Sequence, residues 1–309
     1  MFKHIPVMLK ECIQGLQIKD GGIYFDGTLG GSGHSYEILK NSSPNGKLIA
    51  TDLDLDAIKN AEDRLSCFKG RYQIFHNNFK EFLSVLQQSG ESQIDGALLD
   101  LGMSSYQIDS ERGFAYSRDC ALDMRMNQED AFSAEDVVND YSERELVEIF
   151  YKYGEEKFSK SIAKNICEQR KLKRITSTKQ LVDIIDKSIP QKFKLTGGHP
   201  AKRVFQAIRI EVNGELKGLE QCLKDIVSKL KVGGRLAVIT FHSLEDRIVK
   251  TVFNELNTDC ICDKRLPLCV CGKKREVNLV NNKPILPSEQ ELEFNSRSKS
   301  AKLRIVEKI

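Results

Sequence analysis

Short apolar runs alternate with amphipathic stretches over the first hundred residues. Ile23–Asp26, Leu48–Asp52, Tyr72–Phe75 and Ile94–Asp100 have strand length and the continuous apolar character of a sheet covered on both faces. Between them lie helical patterns. One follows Gly33, a second is Asp54–Leu65 with Ile58, Ala61 and Leu65 on one face, and a third is Phe79–Leu86. This alternation, with short joins, predicts a doubly wound, mostly parallel α/β sheet. From Asp109 to about Arg203 the pattern changes and no strand is expected. Ser142 and Glu145 have capping-box spacing ahead of Leu146, Ile149, Phe150 and Tyr153, and Gly154 closes that helix. Phe158, Ile162 and Ile166 mark another helix, and Leu181, Val182 and Ile185 one more before Pro190. A stripe of Leu216, Leu219, Leu223, Ile226 and Leu230 then leads to Leu236–Phe241, where the sheet resumes. The pattern predicts a discontinuous α/β domain, 1–108 and 204–309, around an inserted helical domain, 109–203. The split falls at strand carboxyl ends, where open α/β sheets bind ligands.

Composition narrows the class. Of 309 residues, 40% are hydrophobic and 29% charged, which reads as a soluble globular chain. No apolar run approaches the roughly 18 residues of a membrane span. The opening MFKHIPVMLKECI is interrupted by charge and is not expected to be a signal peptide. Net charge is +3, so a polyanion would have to meet a local patch. Nine cysteines, five of them scattered, fit a reducing cytoplasm better than a disulfide framework.

The stretch YFDGTLGGSGHS, Tyr24 to Ser35, follows the first strand with a glycine cluster that lets a ligand approach the main chain. A dinucleotide fingerprint needs a last glycine where Tyr36 stands, which weakens a dehydrogenase reading. The acidic-Gly-x-x-Gly-Gly-x-Gly arrangement of Asp26, Gly27, Gly30, Gly31 and Gly33 resembles instead the first motif of S-adenosylmethionine-dependent methyltransferases. Asp52 ends the second strand, where an acidic side chain accepts hydrogen bonds from ribose hydroxyls. Asp100 ends the fourth, at the catalytic edge. No cysteine nucleophile for carbon methylation is expected near it, whereas a carboxylate can accept an N–H from an exocyclic amine as that nitrogen attacks.

The segments HIPVMLKE, DGTLGGSGHS, DLGMSSYQID, RGFAY, LDMRM, YGEEKF, FQAIRIEVNGEL, GGRLAVITFHSLEDRIVK and NSRSKSAKLRI run in order through nearly the whole chain. Together they resemble the ribosomal small-subunit RNA cytosine-N4-methyltransferase family, RsmH or MraW. The resemblance implies a Rossmann-like methyltransferase fold with an inserted helical domain, S-adenosylmethionine as cofactor, and methylation of the N4 amine of a cytidine in the decoding region of 16S rRNA. It places cofactor contacts on Ser32, Gly33, His34, Asp52, Phe79, Asp100 and Gln107. Ser32 stands where the family usually carries glycine, and is expected to make a backbone contact at negative φ. Beside Asp100, His242 and Ser104 are candidates at the reacting centre; His242 and His4 either touch the base or order the site.

The second half of the insertion is basic, and Lys171, Lys173, Arg174, Lys202 and Arg203 are candidate phosphate contacts for rRNA. The alternative is a solvated helix face. Cys260, Cys262, Cys269 and Cys271 form C-x-C-x6-C-x-C, for which tetrahedral Zn²⁺ is favoured over disulfides in a reducing compartment. A non-catalytic RNA-binding or assembly factor on the same fold is the rival function. A homodimer stays open, and the expected partner is the small ribosomal subunit rather than a membrane.

Overall fold

The computed structural model describes residues 6–194, 199–263 and 268–309; His4 lies outside them. The chain divides into two compact units, Met1–Gly102 with Gly218–Ile309, and Met103–Lys217.

The first unit is built on a seven-stranded sheet. Its strands are β1 (Ile23–Asp26), β2 (Lys47–Asp52), β3 (Tyr72–His76), β4 (Ile94–Asp100), β5 (Leu230–Thr240), β6 (Val277–Leu279) and β7 (Lys302–Lys308), in the order β3-β2-β1-β4-β5-β7-β6. β1 to β5 are parallel, while β7 runs antiparallel to both β5 and β6. Successive side chains alternate between two cores, as the pleat demands. Phe25, Ile49, Leu99, Leu236 and Val238 enter one core with the helices Phe82–Gln88, Leu219–Lys229 and Ser243–Leu256. Tyr24, Leu48, Ala50, Leu98, Ala237 and Ile239 enter the other with Leu9–Leu16, Gly33–Asn41 and Leu55–Leu65. Each such side chain, once fully buried, contributes about 1.5–3 kcal/mol. Strand order reverses between β1 and β4, so the loops after these strands diverge and leave a crevice at their carboxyl ends.

The second unit is helical. Its main helices are Ala134–Asp140, Glu143–Lys152, Ser159–Leu172, Thr178–Ser188 and Ala201–Asn213. They close around Val137, Leu146, Phe150, Ile162, Leu181 and Phe205. The Ser142–Glu145 capping box forms: Glu145 N donates to Ser142 Oγ at 3.3 Å, and Ser142 N to Glu145 Oε2 at 2.7 Å. The unit's boundaries differ from positions 108/109 and 203/204. Val204, Phe205, Ala207 and Ile208 belong to the helical core, so the helix Ala201–Asn213 stays whole within the insertion and ends at Gly214, φ 55°. Among the described residues no helix is long and apolar enough to cross a membrane.

Candidate active site at the carboxyl edge of the sheet

Asp26 closes β1 and is 1% exposed. Its carboxylate accepts Thr28 N at 3.1 Å and Ser35 Oγ at 2.6 Å, so it braces the loop from within. Burial pushes it above the usual carboxylate range. Gly27 permits a close approach: an added Cβ would lie 2.8 Å from Phe79 Cβ and also strike Leu99. Gly30, at φ 45°, turns its N–H onto Asp52 Oδ2 at 2.7 Å. Ser32 has φ 53° and ψ 22°, the left-handed region, not the negative φ expected. The helix Gly33–Asn41 starts from that conformation, and Ser32 Oγ donates to Gly31 O at 2.9 Å as partial compensation. His34 is 6% exposed and its Nε2 donates to Val7 O at 3.1 Å. Its main chain lies in the first turn of the helix Gly33–Asn41.

Asp52 sits at the end of β2, half-buried. It accepts one N–H on each oxygen, from Gly30 and, at 2.9 Å, from Asp54. Each carboxylate oxygen has a second lone pair, which leaves capacity for two hydroxyls. Burial pushes its pKa up to about 6; the two amides pull it down, while Asp54 and Asp26 raise it further. Asp100 ends β4 with its N–H donated to Thr28 Oγ1 at 2.6 Å. Its Oδ1 is sealed from solvent and has no hydrogen-bond partner among the described residues. Burial, then Asp26, push its pKa up to about 7; a Gly102 N–H opposes this and Glu245 adds to it. Phe79 opens a short turn after β3, half-buried, with its Cβ beside Gly27. The structure thus assembles the glycine loop, Asp52, Phe79 and Asp100 in one unit. Thr28, which ties the loop to the end of β4, was missed by sequence reasoning; its only signal is a hydroxyl two residues past a strand-end aspartate.

Other candidates fall differently. His242 is the N-cap of the helix Ser243–Leu256: its Nδ1 accepts Glu245 N at 3.4 Å, which puts the proton of the neutral ring on Nε2. That Nε2 lies 3.0 Å from Glu245 Oε1, but the geometry is not that of a hydrogen bond. Glu245, 2% exposed, accepts the N–H groups of Phe241 and His242. Ser104 and Gln107 belong to the second unit, where they cap the helix Ser105–Asp109 reciprocally at 3.1 and 3.0 Å. Contrary to expectation, a cysteine does lie near the edge. Cys12 is fully buried, and Asp100 is among the charges acting on it. Burial above all, then Asp100, hold its thiol well above the ordinary range, so it supplies no thiolate nucleophile.

The whole chain, residues 1–309, matches the sequence profile of the MraW methylase family. The chain belongs to that family. Among its relatives, the ribosomal RNA small subunit methyltransferase H of Clostridium botulinum (strain Loch Maree / Type A3) is 54% identical over 309 residues, covering 100% of this chain and 99% of the relative. The protein of the same name from Clostridioides difficile (strain 630) is 52% identical with the same coverage. Ribosomal RNA small subunit methyltransferase H 2 of Agathobacter rectalis is also 52% identical, over 99% of this chain and 98% of that one. Two of the basic residues on the insertion have structural duties. Of the five cations considered for RNA, Arg174 is engaged by Glu135 at 2.6 Å and Asp140 at 3.1 Å, and Arg203 by the fully buried Glu156 at 2.6 Å. Glu135 and Asp140, from the first half of the insertion, thus neutralise part of its basic second half. Lys171, Lys173 and Lys202 are exposed.

Proposed function

We propose that the protein transfers a methyl group from S-adenosylmethionine to the exocyclic N4 amine of a cytidine in the decoding region of 16S rRNA, in the cytoplasm. The observation that carries the reading is the raised carboxylate set at the strand edge, with Asp100 Oδ1 unpartnered among the described residues. Buried carboxylates whose strongest charged neighbours are other carboxylates form a site that a cation completes. S-adenosylmethionine fits, because when bound it supplies an electrophilic methyl on a positively charged sulfur beside an ammonium. The residues to hold it are the main chain of Ser32–His34, the free lone pairs of Asp52, and the Phe79 ring, whose face suits an adenine. Gln107 is assigned to the same cofactor by family resemblance.

Asp100 accepts an N–H of the target amine and receives its proton as the nitrogen attacks. A carboxyl with a pKa near 7 is matched to that task at neutral pH. The positive charge that develops on the nitrogen is where a nearby carboxylate has most effect. His242 is a positioning residue through Glu245, and Ser104 positions through its cap. Carbon methylation is disfavoured because Cys12 is held as a buried thiol. The relatives' names point to the small ribosomal subunit, and the N4 amine follows from the family resemblance. Lys171, Lys173 and Lys202 are the cations left to meet phosphate.

The test is to incubate the protein with methyl-labelled S-adenosylmethionine and small subunits lacking the mark, then identify the modified nucleoside. N4-methylcytidine is expected. 5-Methylcytidine or a 2′-O-methyl nucleotide overturns the amine chemistry. Cofactor binding without transfer would place the protein among assembly factors instead.

A further inference from the structure

Among its described residues, the loop between the helix Ser243–Leu256 and β6 has no apolar core to hold its shape. Its base is closed by Glu276 N donating to Leu256 O at 2.8 Å and Arg275 N donating to Asp259 Oδ1 at 3.3 Å. Beyond the base, the large aliphatic residues Ile261, Leu268 and Val270 are 68%, 77% and 79% exposed. Hydrophobic burial does not organise these described residues.

Four sulfurs meet there instead. Those of Cys260, Cys262, Cys269 and Cys271 all lie within 4.8 Å of one another. Cys260 and Cys269 are 3.4 Å apart, Cys269 and Cys271 3.5 Å, Cys260 and Cys271 3.8 Å, and Cys262 and Cys269 3.9 Å. A disulfide needs about 2.05 Å. Four ligands at about 2.3 Å from a zinc ion, at tetrahedral angles, are separated by about 3.8 Å. Main-chain N–H groups already point at the sulfurs: Ile261 N to Cys271 at 3.5 Å, and Cys262 N to Cys260 and Val270 N to Cys262 at 3.4 Å each. Such donors favour thiolate over thiol and orient ligands from the outer shell. Gly272, at φ 63°, turns the chain directly after the last cysteine.

We propose that Cys260, Cys262, Cys269 and Cys271 form a tetrahedral Zn²⁺ site that replaces a hydrophobic core in this loop. Four sulfurs complete the shell and leave no position for water or substrate, so the metal is structural and takes no part in methyl transfer. On binding, each thiol releases its proton to solvent and each sulfur donates a lone pair to zinc, with no change of oxidation state. The resulting charge of two minus falls beside a basic stretch of the chain, Lys273, Lys274 and Arg275, which follows at once in the sequence.

The full chain, purified under reducing conditions and equilibrated with zinc sulfate, is expected to retain about one zinc ion after desalting. Cobalt in its place should give the intense visible absorption of a tetrahedral tetrathiolate. Cys260→Ser and Cys271→Ser should each abolish tight retention, whereas Cys67→Ser, at an exposed cysteine outside the loop, should not. Chelation of the wild-type metal should open the 257–276 loop to limited proteolysis. A wild-type chain that stays metal-free overturns the proposal, as does an octahedral cobalt spectrum or recovery of the four cysteines from cells as two disulfides. The wild-type titration stands even if a serine variant fails to fold.

Discussion

Asp123, Glu156 and Glu215 in the second unit each face a guanidinium, whereas Asp52 and Asp100 in the first have other carboxylates as their strongest charged neighbours. Glu215 and Arg209 pair through two contacts of 2.7 Å with both side chains largely buried. Burial pushes the Asp123 carboxyl up, but its hydrogen bonds and charge pairing with Arg125 outweigh that and leave it below the usual range. One chemical group thus serves two ends. In the helical unit it is neutralised by the chain and holds packing together. At the strand edge no cation of the described residues balances it, which costs stability and, on the proposed function, suits the site to a cationic ligand.

The comparison is tested most severely at Asp100. Asp100→Asn keeps the shape and removes the charge, and should lower kcat by about 10²-fold or more at saturating cofactor. The same change should raise the thermal midpoint of the ligand-free protein, because a raised carboxyl destabilises the fold when ionised. A kcat within a few-fold of wild type would reduce Asp100 to a binding residue. In the helical unit the effect should invert. Arg203→Met strands the buried Glu156 and should cost about 2–3 kcal/mol in denaturant unfolding, with kcat of the folded fraction unchanged. An unaltered midpoint would show that the pair contributes nothing.

Titration separates the two sets by sign. Asp52 and Asp100 have folded pKa values raised to about 6 and about 7, above the unfolded 3.8. Their destabilising effect is present above the folded values and is relieved as pH falls through them. Asp123 has a lowered value, so its stabilising effect is present above the unfolded pKa and is lost as pH falls through the folded one. Cofactor affinity, measured calorimetrically, should rise about tenfold as pH climbs through 6 to 7 and the acceptors ionise. A flat profile would remove both aspartates from cofactor binding. Smaller again is the double change Lys171→Glu with Lys173→Glu, which should raise KM for subunits a few-fold and lower the salt slope by about one per contact. A steady slope would mark those lysines as a solvated face. Least of all, Ser32→Gly relieves the φ of 53° and should add about 0.5–1 kcal/mol of stability; a loss would mean that the Oγ bond to Gly31 matters more.

Much of the sheet was legible because its inner strands are apolar on both faces. Ile94–Asp100 and Ile23–Asp26 fall where the runs begin and end. β5 starts six residues before Leu236, because the strand continues through Gly233 and Gly234, which give no apolar signal, with an irregular register opposite Ile94 and Gly96. β7 escaped notice for another reason. Arg304 is 8% exposed and paired with Asp246 at 2.7 Å, so a buried charge hides the strand's apolar character. At the candidate site, the ends of strands announced Asp52 and Asp100. Pairing by Arg174 and Arg203 was invisible, since partners 39 and 47 positions away in the chain leave no periodic trace.

The interruption between β4 and β5 has a consequence in time. A ribosome making this chain completes β4 and must then add the whole of Met103–Lys217 before β5 can emerge. At 5–20 residues per second that is roughly ten seconds. Throughout, the side of β4 that will receive β5 is an unpaired edge carrying Ile94, Ala97, Leu98 and Leu99, all of them 0% exposed in the finished protein. The helices, whose contacts are more local, form during the wait. The nascent protein therefore passes through an interval in which an apolar strand edge in the middle of its future sheet is open to wrong pairing, and shielding of that edge during synthesis favours the correct fold.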